Sequence, residues 1–366
     1  MSDLQIVPNP QLKDIIVYEP GKPIEDVARE WGLDPASIIK LASNENPLGP
    51  SPKAREAMRQ SIEKCHLYPD GGGYYLRQAI ASKFSLDLGN IILGNGSNEI
   101  IEFLGHAFLK PGDEVVMARH AFVVYKLMAT LFGASTVEVD DPGFVHDLPA
   151  MLKAVTPKTK LFFIANPNNP TGTIVSEASL INVIESIPDH VIVVIDEAYY
   201  EFLDNPPRTI DLVKKYPNIL LMRTFSKIQG LAGLRIGYGI APSPLVSILQ
   251  KTRQPFNVNA IAQAGALAAL ADNEHIARTK KITDEGRVYL EKSFSELNLP
   301  WTKSAANFIL VKVGGEGAGK RIFTELQKRG IIVRDMTSYR LPEYIRVTIG
   351  THAQNSQFIE ELRKVL

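Results

Sequence analysis

The 366-residue sequence lacks the features that mark several classes of protein. Its single cysteine, Cys65, cannot form an intrachain disulfide, which favours a reducing compartment. Residues 1–10 lack the basic and apolar stretches of a secretion signal. No apolar run approaches the roughly 18 residues that a membrane span needs. We therefore expect a cytoplasmic protein without a membrane partner.

An excess charge and a metal-binding pattern are also missing. Lys and Arg together number 40, as do Asp and Glu, so the formal net charge is zero and nucleic acid is not indicated as a partner. The seven histidines are scattered without the spacing of metal ligands, and we expect no metal. Small molecules are the expected partners.

Lys227 lies in a segment whose composition suits phosphate binding. It follows Thr224 and Ser226 and precedes the run 230–235 (Gly-Leu-Ala-Gly-Leu-Arg), which ends in Arg235. In an enzyme that uses pyridoxal phosphate (PLP), a lysine amine holds the cofactor covalently while hydroxyls and an arginine hold its phosphate. The alternative is a solvated surface lysine, which is the usual fate of a lysine in such a loop.

Asp196 follows the β-branched run 191–195, which predicts a strand buried on both faces, as in a parallel sheet. It would therefore lie at the carboxyl end of a strand, where open α/β sheets bind ligands. A buried carboxylate needs a cationic partner, and the pyridinium N–H of PLP would be one. Tyr199 could reach the ring's 3-oxygen if the chain turns helically after the strand. Alternatively, Asp196 caps a helix.

The segment 166–172 (Asn-Pro-Asn-Asn-Pro-Thr-Gly) follows a second apolar run, 161–165. Its prolines, asparagines and glycine predict a rigid, non-helical turn at the same sheet edge as Asp196. Asn169 could donate to the 3-oxygen of the cofactor. A tight turn without a ligand is the alternative.

A glycine-rich turn at 94–99 (Gly-Asn-Gly-Ser-Asn-Glu) leads into an apolar helical run. Glu99 stands where the dinucleotide-binding fingerprint requires its third glycine, which disfavours an NAD-dependent dehydrogenase. Backbone N–H groups of Gly96, Ser97 and Asn98 at a helix N-terminus can instead bind an anion.

Taken in order, these motifs resemble the class I and II aminotransferases of PLP fold type I. Other segments resemble the histidinol-phosphate aminotransferases within that family: 41–47 (Leu-Ala-Ser-Asn-Glu-Asn-Pro), 68–71 (Tyr-Pro-Asp-Gly), 225–235 and 341–347 (Leu-Pro-Glu-Tyr-Ile-Arg-Val). The match runs from about Leu41 to the C-terminus without a large insertion.

The resemblance implies a PLP site in which Lys227 carries the cofactor and moves the substrate proton, with Asp196 and Tyr199 as the other catalytic residues. Phe122 matches an aromatic residue that stacks on the pyridine ring, although it could equally be a core phenylalanine. The remaining cofactor-binding residues that it implies are Gly96, Ser97, Asn98, Asn169, Thr224, Ser226 and Arg235.

The resemblance also implies a homodimer with shared active sites. Tyr68 would reach the neighbouring subunit's cofactor phosphate and Tyr18 its substrate, unless both are ordinary surface or core tyrosines. Arg346 matches the arginine that binds an α-carboxylate, and Arg334 matches a second one that histidinol-phosphate enzymes add. Both could otherwise be structural ion-pair partners. The implied substrate site is completed by Tyr18, Asn44 and Asn169.

Alternating strand-like runs and helical patterns predict an α/β fold with a mostly parallel central sheet flanked by helices. We predict an N-terminal arm (1–50) that contributes to the small domain and to the dimer contact, a large PLP-binding domain (51–255) and a small α+β domain (256–366). The predicted strands of the large domain are 114–118, 161–165, 191–195, 219–222 and 236–240, and those at the end of the small domain are 331–334 and 344–349.

The predicted reaction is ping-pong transamination between L-histidinol phosphate and 2-oxoglutarate. An aromatic amino acid aminotransferase and a threonine-phosphate decarboxylase are the alternatives within PLP chemistry. A non-catalytic ligand-binding module is disfavoured, because it would have no reason to keep Lys227 in these surroundings. The sequence leaves open whether Arg340, where the subfamily often has a small residue, alters specificity.

Overall fold

The computed structural model describes residues 7–15, 17 and 21–366. The strands in this part of the chain are β1 (Ile39–Lys40), β2 (Ile91–Gly94), β3 (Glu114–Ala118), β4 (Ser135–Val139), β5 (Thr159–Ala165), β6 (Ile192–Asp196), β7 (Ile219–Thr224), β8 (Gly237–Ile240), β9 (Phe308–Lys312), β10 (Ile331–Ile332), β11 (Arg334–Asp335) and β12 (Tyr344–Thr348).

The α-helices in the described residues are α1 (Ile24–Trp31), α2 (Pro52–Ile62), α3 (Tyr74–Phe84), α4 (Ser97–Phe108), α5 (Val124–Leu131), α6 (Leu148–Lys153), α7 (Glu177–Ser186), α8 (Thr209–Lys215), α9 (Ser243–Leu249), α10 (Ala260–Leu270), α11 (Asn273–Glu296), α12 (Ala318–Gln327) and α13 (His352–Val365). None of these helices has the length and apolarity that crossing a membrane requires.

A seven-stranded sheet forms the centre of the larger part, in the order β2-β8-β7-β6-β5-β3-β4. The pairs from β7 to β4 are parallel, and only β8 runs antiparallel to its two neighbours. Strands β6, β7 and β8 are buried along their whole length, as expected for apolar runs with helices on both faces. The five predicted strands of the large domain all lie in this sheet. Strands β2 and β4 and the reversed direction of β8 were not predicted.

This topology brings several chain segments to one edge of the sheet. Strands β2, β3, β5, β6 and β7 share one direction, so their carboxyl ends meet there. The turn before α4, the segment that begins at Asn166, Asp196 and the loop after Thr224 therefore converge. Binding sites of open α/β sheets occupy this position.

The remaining strands form two small sheets. Strands β11, β12 and β9 make an antiparallel sheet, and β1 pairs in parallel with β10. The predicted strand 331–334 is thus divided, because its first half pairs with the N-terminal segment and its second half with β12. Helix α13 was not predicted, although a reciprocal cap between Thr351 and Gln354 marks its start.

Two large clusters of buried apolar side chains form the main cores. One draws its buried residues from 54–270, around the seven-stranded sheet, and the other from Leu41 and residues 290–365. The first cluster continues past residue 255 to Leu270, so helix α10 packs with the large sheet. The predicted domain boundaries near residues 50 and 255 stay a prediction. The carboxyl edge of the large sheet faces residues of the second part across a cavity, which contains the candidate site.

Candidate active site

One cavity of about 380 Å³ brings together most of the predicted site residues. Its volume is within the range of small-molecule sites. The predicted residues that line it are Asn44, Ser97, Asn98, Phe122, Asn169, Asp196, Tyr199, Thr224, Ser226, Lys227, Arg235, Arg334 and Arg346.

Lys227 extends into this cavity from the loop after β7. Its amine donates to the backbone carbonyl of Ser43 over 3.1 Å and lies 5.7 Å from the centre of the Tyr199 ring. Burial, reinforced by the positive charge of Arg346, lowers the pKa of Lys227 to about 7. A large fraction of the amine is therefore neutral, and nucleophilic, near neutral pH.

Asp196 ends β6 and is 7% exposed. The Tyr125 hydroxyl donates to its Oδ2 over 2.7 Å, and the backbone N–H of Ala198 donates to its Oδ1 over 3.1 Å. Burial raises the pKa of Asp196 to about 6, against the opposing effect of the Tyr125 hydrogen bond. A carboxylate in these surroundings favours a cationic ligand group beside it.

Sequence reasoning missed Tyr125. Its ring is fully buried and stacks on Phe163, with ring centres 4.2 Å apart. The nearest signal in the sequence was its position three residues after Phe122. In the structure Phe122 precedes the start of α5, and the two rings contact edge-on with centres 5.7 Å apart. Helix α5, which contains Tyr125, thereby fixes the orientation of the Asp196 carboxylate.

The turn between β2 and α4 and the side chain of Arg235 form an anion-binding cradle. Gly96 has a left-handed φ of 80°, and a Cβ atom there would come within 2.5 Å of Arg235 Nη2. Arg235 Nη1 donates to Ser226 Oγ over 3.4 Å and to the carbonyl of Ala232 over 3.1 Å. Helix α4 begins at Ser97 and directs its N-terminus at the same place. This combination suits a phosphate group.

A second group of arginines lines the cavity from the small antiparallel sheet. Arg334 on β11 and Arg346 on β12 are directly paired in register. Arg346 is 6% exposed, donates to Asn169 Oδ1 and donates to the Ala42 carbonyl over 2.8 Å. Its guanidinium carbon lies 5.2 Å from the centre of the Phe308 ring. Two adjacent guanidinium groups suit a carboxylate or a phosphate.

Two further predicted residues have defined contacts at the cavity. Because Asn169 Oδ1 accepts from Arg346, its Nδ2 is the atom that can donate to a ligand. Asn44 is 1% exposed and its Nδ2 donates to the Tyr199 hydroxyl over 2.8 Å. The predicted substrate contact of Asn44 stays a prediction. A different hydrogen bond, from the Asn44 backbone N–H to Thr348 Oγ1, identifies Thr348 as a residue that the sequence did not indicate.

Two of the predicted or queried residues lie outside the cavity, and a third is not among the described residues. Tyr68 is 84% exposed, stacks on Phe256 and does not line the cavity of its own chain. Tyr18 lies outside the described residues. Arg340 has a left-handed φ of 61° and pairs with Glu138 at 2.8 Å, outside the cavity lining.

Comparison with known proteins gives matches along nearly the whole chain. The family model described as aminotransferase class I and II matches residues 36–362. A histidinol-phosphate aminotransferase of Akkermansia muciniphila is 50% identical over 359 residues, which cover 98% of each chain. One of Methylobacillus flagellatus is 45% identical over 357 residues, which cover 97% of this chain and 96% of the relative.

Solved structures show the same architecture. Histidinol-phosphate aminotransferase of Sinorhizobium meliloti, in complex with pyridoxal-5′-phosphate, is 26% identical with a TM-score of 0.89 and covers 98% of both chains. Aspartate aminotransferase of Thermus thermophilus with maleate is 24% identical with a TM-score of 0.83, over 99% of this chain and all of that one. The shared architecture confirms the predicted fold class, PLP fold type I.

Proposed function

The chain belongs to the family of class I and II aminotransferases, and from that membership we propose that it transfers an amino group from L-histidinol phosphate to 2-oxoglutarate. The products are imidazole acetol phosphate and L-glutamate, and the reaction is a step of histidine biosynthesis. The observation that carries the proposal is one cavity that combines a buried amine, Lys227, a buried carboxylate, Asp196, and two arginine-containing anion sites. The names of the relatives support the choice of substrate.

The residues of the cavity fit PLP, which we propose as the cofactor. Because residue 96 is a glycine, the Arg235 guanidinium can lie directly against the turn before α4, where a Cβ atom would displace it. The α4 N-terminus, Ser226 and Arg235 would hold that phosphate, and Phe122 would contact a face of the ring. Asp196 supplies the buried carboxylate that a pyridinium nitrogen needs.

When bound, PLP supplies a carbonyl carbon that reacts with amines and a protonated ring that stabilises the negative charge left when a Cα–H bond breaks. Asp196 would keep a proton on the ring nitrogen. Lys227, with its lowered pKa, would accept the proton from the substrate Cα and hold it for return on the cofactor side. Tyr199 and Asn169 would be the hydrogen-bond donors to the ring 3-oxygen.

The Arg334–Arg346 pair explains how one site can accept two different substrates. Histidinol phosphate carries a phosphomethyl group where an amino acid carries its α-carboxylate. Arg346 binds the α-carboxylate of glutamate, and the two arginines together bind the phosphate of histidinol phosphate. A guanidinium fork suits both anions, so the same side chains serve both halves of the reaction.

We also propose that the protein is a cytoplasmic homodimer with shared active sites. The exposed aromatic side chains Tyr68 and Phe256 stack at 4.7 Å, and Tyr74, Tyr75 and Leu67 are more than half exposed nearby in the sequence. Exposed apolar surface of this kind is typical of an interface. Tyr68 would then contact the cofactor phosphate of the partner subunit.

Purified protein assayed against a panel of substrates tests the proposal. A visible absorption band of the bound cofactor is expected, together with formation of glutamate from 2-oxoglutarate and histidinol phosphate. Faster turnover of phenylalanine would favour the aromatic aminotransferase. Release of carbon dioxide from threonine phosphate would favour the decarboxylase.

A further inference from the structure

Asn44 joins separate parts of the chain beside the cavity. Its backbone has a left-handed φ of 56°, which asparagine tolerates better than most residues. Its backbone N–H donates to Thr348 Oγ1 over 2.9 Å, and its carbonyl accepts from Asn307 Nδ2 over 3.0 Å. Residues of the C-terminal part therefore hold Asn44 in a conformation that few side chains adopt readily.

These contacts fix the orientation of the Asn44 carboxamide. A backbone N–H can only donate, so the Thr348 oxygen is an acceptor in its contact with the Asn44 backbone. The single hydroxyl proton of Thr348 is then available to Asn44 Oδ1, 3.3 Å away. Oδ1 is the acceptor, and Nδ2 consequently faces Tyr199 and donates to its phenol oxygen over 2.8 Å.

The orientation of Asn44 determines what Tyr199 can do. A phenol oxygen that accepts from Asn44 keeps its own proton for a different acceptor. Burial raises the pKa of Tyr199 above its usual value, so the phenol stays protonated in the neutral range. The ring packs edge-on against Phe308, with ring centres 5.2 Å apart, and lines the cavity. The remaining direction for the proton is into the cavity.

We propose that Thr348 and Asn44 are positioning residues, which set the direction of the Tyr199 hydrogen bond so that it is donated to the ring 3-oxygen of the cofactor. The proposal rests on the proposed function, because the final acceptor belongs to PLP. A chain of hydrogen bonds in one direction also strengthens each member of the chain. The charged or titratable groups around Tyr199 include Asp196, Lys227, Arg346, Tyr125 and Tyr339.

The test is a pH titration of the visible absorbance of the cofactor-loaded protein. A hydrogen bond donated to the 3-oxygen stabilises its negative charge and therefore lowers the pH midpoint of the titration. Asn44→Gly removes the carboxamide while keeping a residue that adopts the left-handed conformation. We expect it to raise the midpoint by about 0.5–1 pH unit, equivalent to one net hydrogen bond. Thr348→Val shifts the midpoint in the same direction, and Thr348→Ser restores it.

Matched variants separate this effect from general damage. In a Tyr199→Phe background, Asn44→Gly should produce no further shift. Thr351→Val removes a hydroxyl three residues along the chain that caps α13, so it should lower the Tm without moving the midpoint. The proposal is overturned if Asn44→Gly shifts the midpoint equally in the Tyr199→Phe background. It is also overturned if neither Asn44→Gly nor Thr348→Val shifts it.

Cofactor-free protein provides a second readout that does not depend on PLP. If Asn44 links Thr348 to Tyr199, the effects of Thr348→Val and Tyr199→Phe on the free energy of unfolding should be non-additive. The coupling should disappear in an Asn44→Gly background, and additivity in the wild-type background would contradict the linkage. If the wild-type protein shows this coupling but never binds PLP, the hydrogen-bonded link from Thr348 through Asn44 to Tyr199 stands. The proposed function is then refuted instead.

Discussion

Lys227 is the residue on which the proposed chemistry depends most. We expect Lys227→Ala to reduce turnover by several powers of ten, each equivalent to about 1.4 kcal/mol of activation barrier. Since the side chain lies in a cavity, circular dichroism should show an unchanged fold. Lys281→Ala is the matched control, because that side chain is 75% exposed on α11 and its loss should leave turnover unchanged. Comparable rates for wild type and Lys227→Ala would refute the assignment.

The lowered pKa of Lys227 also predicts a pH-dependent effect on stability. Its pKa falls from 10.5 to about 7 on folding, so between these values the unfolded chain binds more protons at this position than the folded chain. The free energy of unfolding of the cofactor-free protein therefore rises with pH across that window. Lys227 destabilises the folded protein most at and below pH 7. Thermal unfolding should show that Lys227→Met raises the Tm more at pH 7 than at pH 10.

Lys281→Met serves as the control for that measurement, since an exposed lysine has little effect at either pH. A Tm difference between Lys227→Met and wild type that stays constant from pH 7 to pH 10 would mean that the Lys227 pKa is not lowered.

The two arginines of the small sheet should have separable effects. Arg346→Lys is expected to impair both half-reactions, because lysine cannot reproduce a bidentate contact. Arg334→Ala should reduce kcat/KM for histidinol phosphate by about ten- to a hundredfold, as expected for a lost charged hydrogen bond. It should reduce kcat/KM for phenylalanine much less. Steady-state kinetics with both donors measure the ratio, and Arg363→Ala, half-exposed on α13, is the control. Equal losses for both donors would argue against a phosphate role for Arg334.

At the residue scale, the sequence predicted the groups that we propose carry the chemistry, but not the groups that orient them. Asp196, Asn169 and Lys227 follow strand-like runs closely, so their position at a sheet edge could be predicted. Tyr125 is 71 residues from Asp196 in sequence, and Thr348 is 304 residues from Asn44. Such contacts follow from the tertiary packing of distant elements, which no local pattern encodes.

At the scale of elements, the turn between β2 and α4 is expected to be sensitive to substitution at Gly96. Gly96→Ala combines a left-handed φ with a Cβ placed against Arg235, so we expect loss of both stability and PLP affinity. Gly112→Ala is the matched control, because Gly112 also has a positive φ but open space around its Cα. Each should lose about 1–2 kcal/mol of stability from backbone strain. Only Gly96→Ala should raise the dissociation constant for PLP. A similar rise in both variants would contradict a phosphate-binding role for the cradle.

Most of the strands that are continuous apolar runs were predicted. The features that depend on which strands pair with each other were not. Strand β4 is only partly buried and carries polar residues, so its sequence gives a weak signal. The reversal of β8 depends on the short connection from β7 through residues 225–236, whose geometry composition does not reveal. The division of 331–334 between two sheets depends likewise on a partner strand, β1, that lies almost 300 residues earlier in the chain.

At the scale of the whole molecule, shared active sites predict recovery of activity in mixed dimers. Lys227→Ala subunits and subunits with a severe Tyr68 substitution should each be inactive alone. A hybrid dimer would contain one site with both defects and one intact site, so mixing with subunit exchange should restore activity. Tyr75→Phe is the control, because Tyr75 on α3 is highly exposed like Tyr68. This variant should be active by itself. Failure to recover activity despite proven exchange would count against Tyr68 acting across the interface.

The most direct test of the proposed function is the ratio of kcat/KM for L-histidinol phosphate to that for phenylalanine, with 2-oxoglutarate as the acceptor and glutamate as the measured product. The Arg334–Arg346 pair predicts a strong preference for the phosphorylated donor, about a hundredfold or more if two charged hydrogen bonds to its phosphate are made. A ratio at or below one would contradict histidinol phosphate as the substrate and favour the aromatic amino acid aminotransferase.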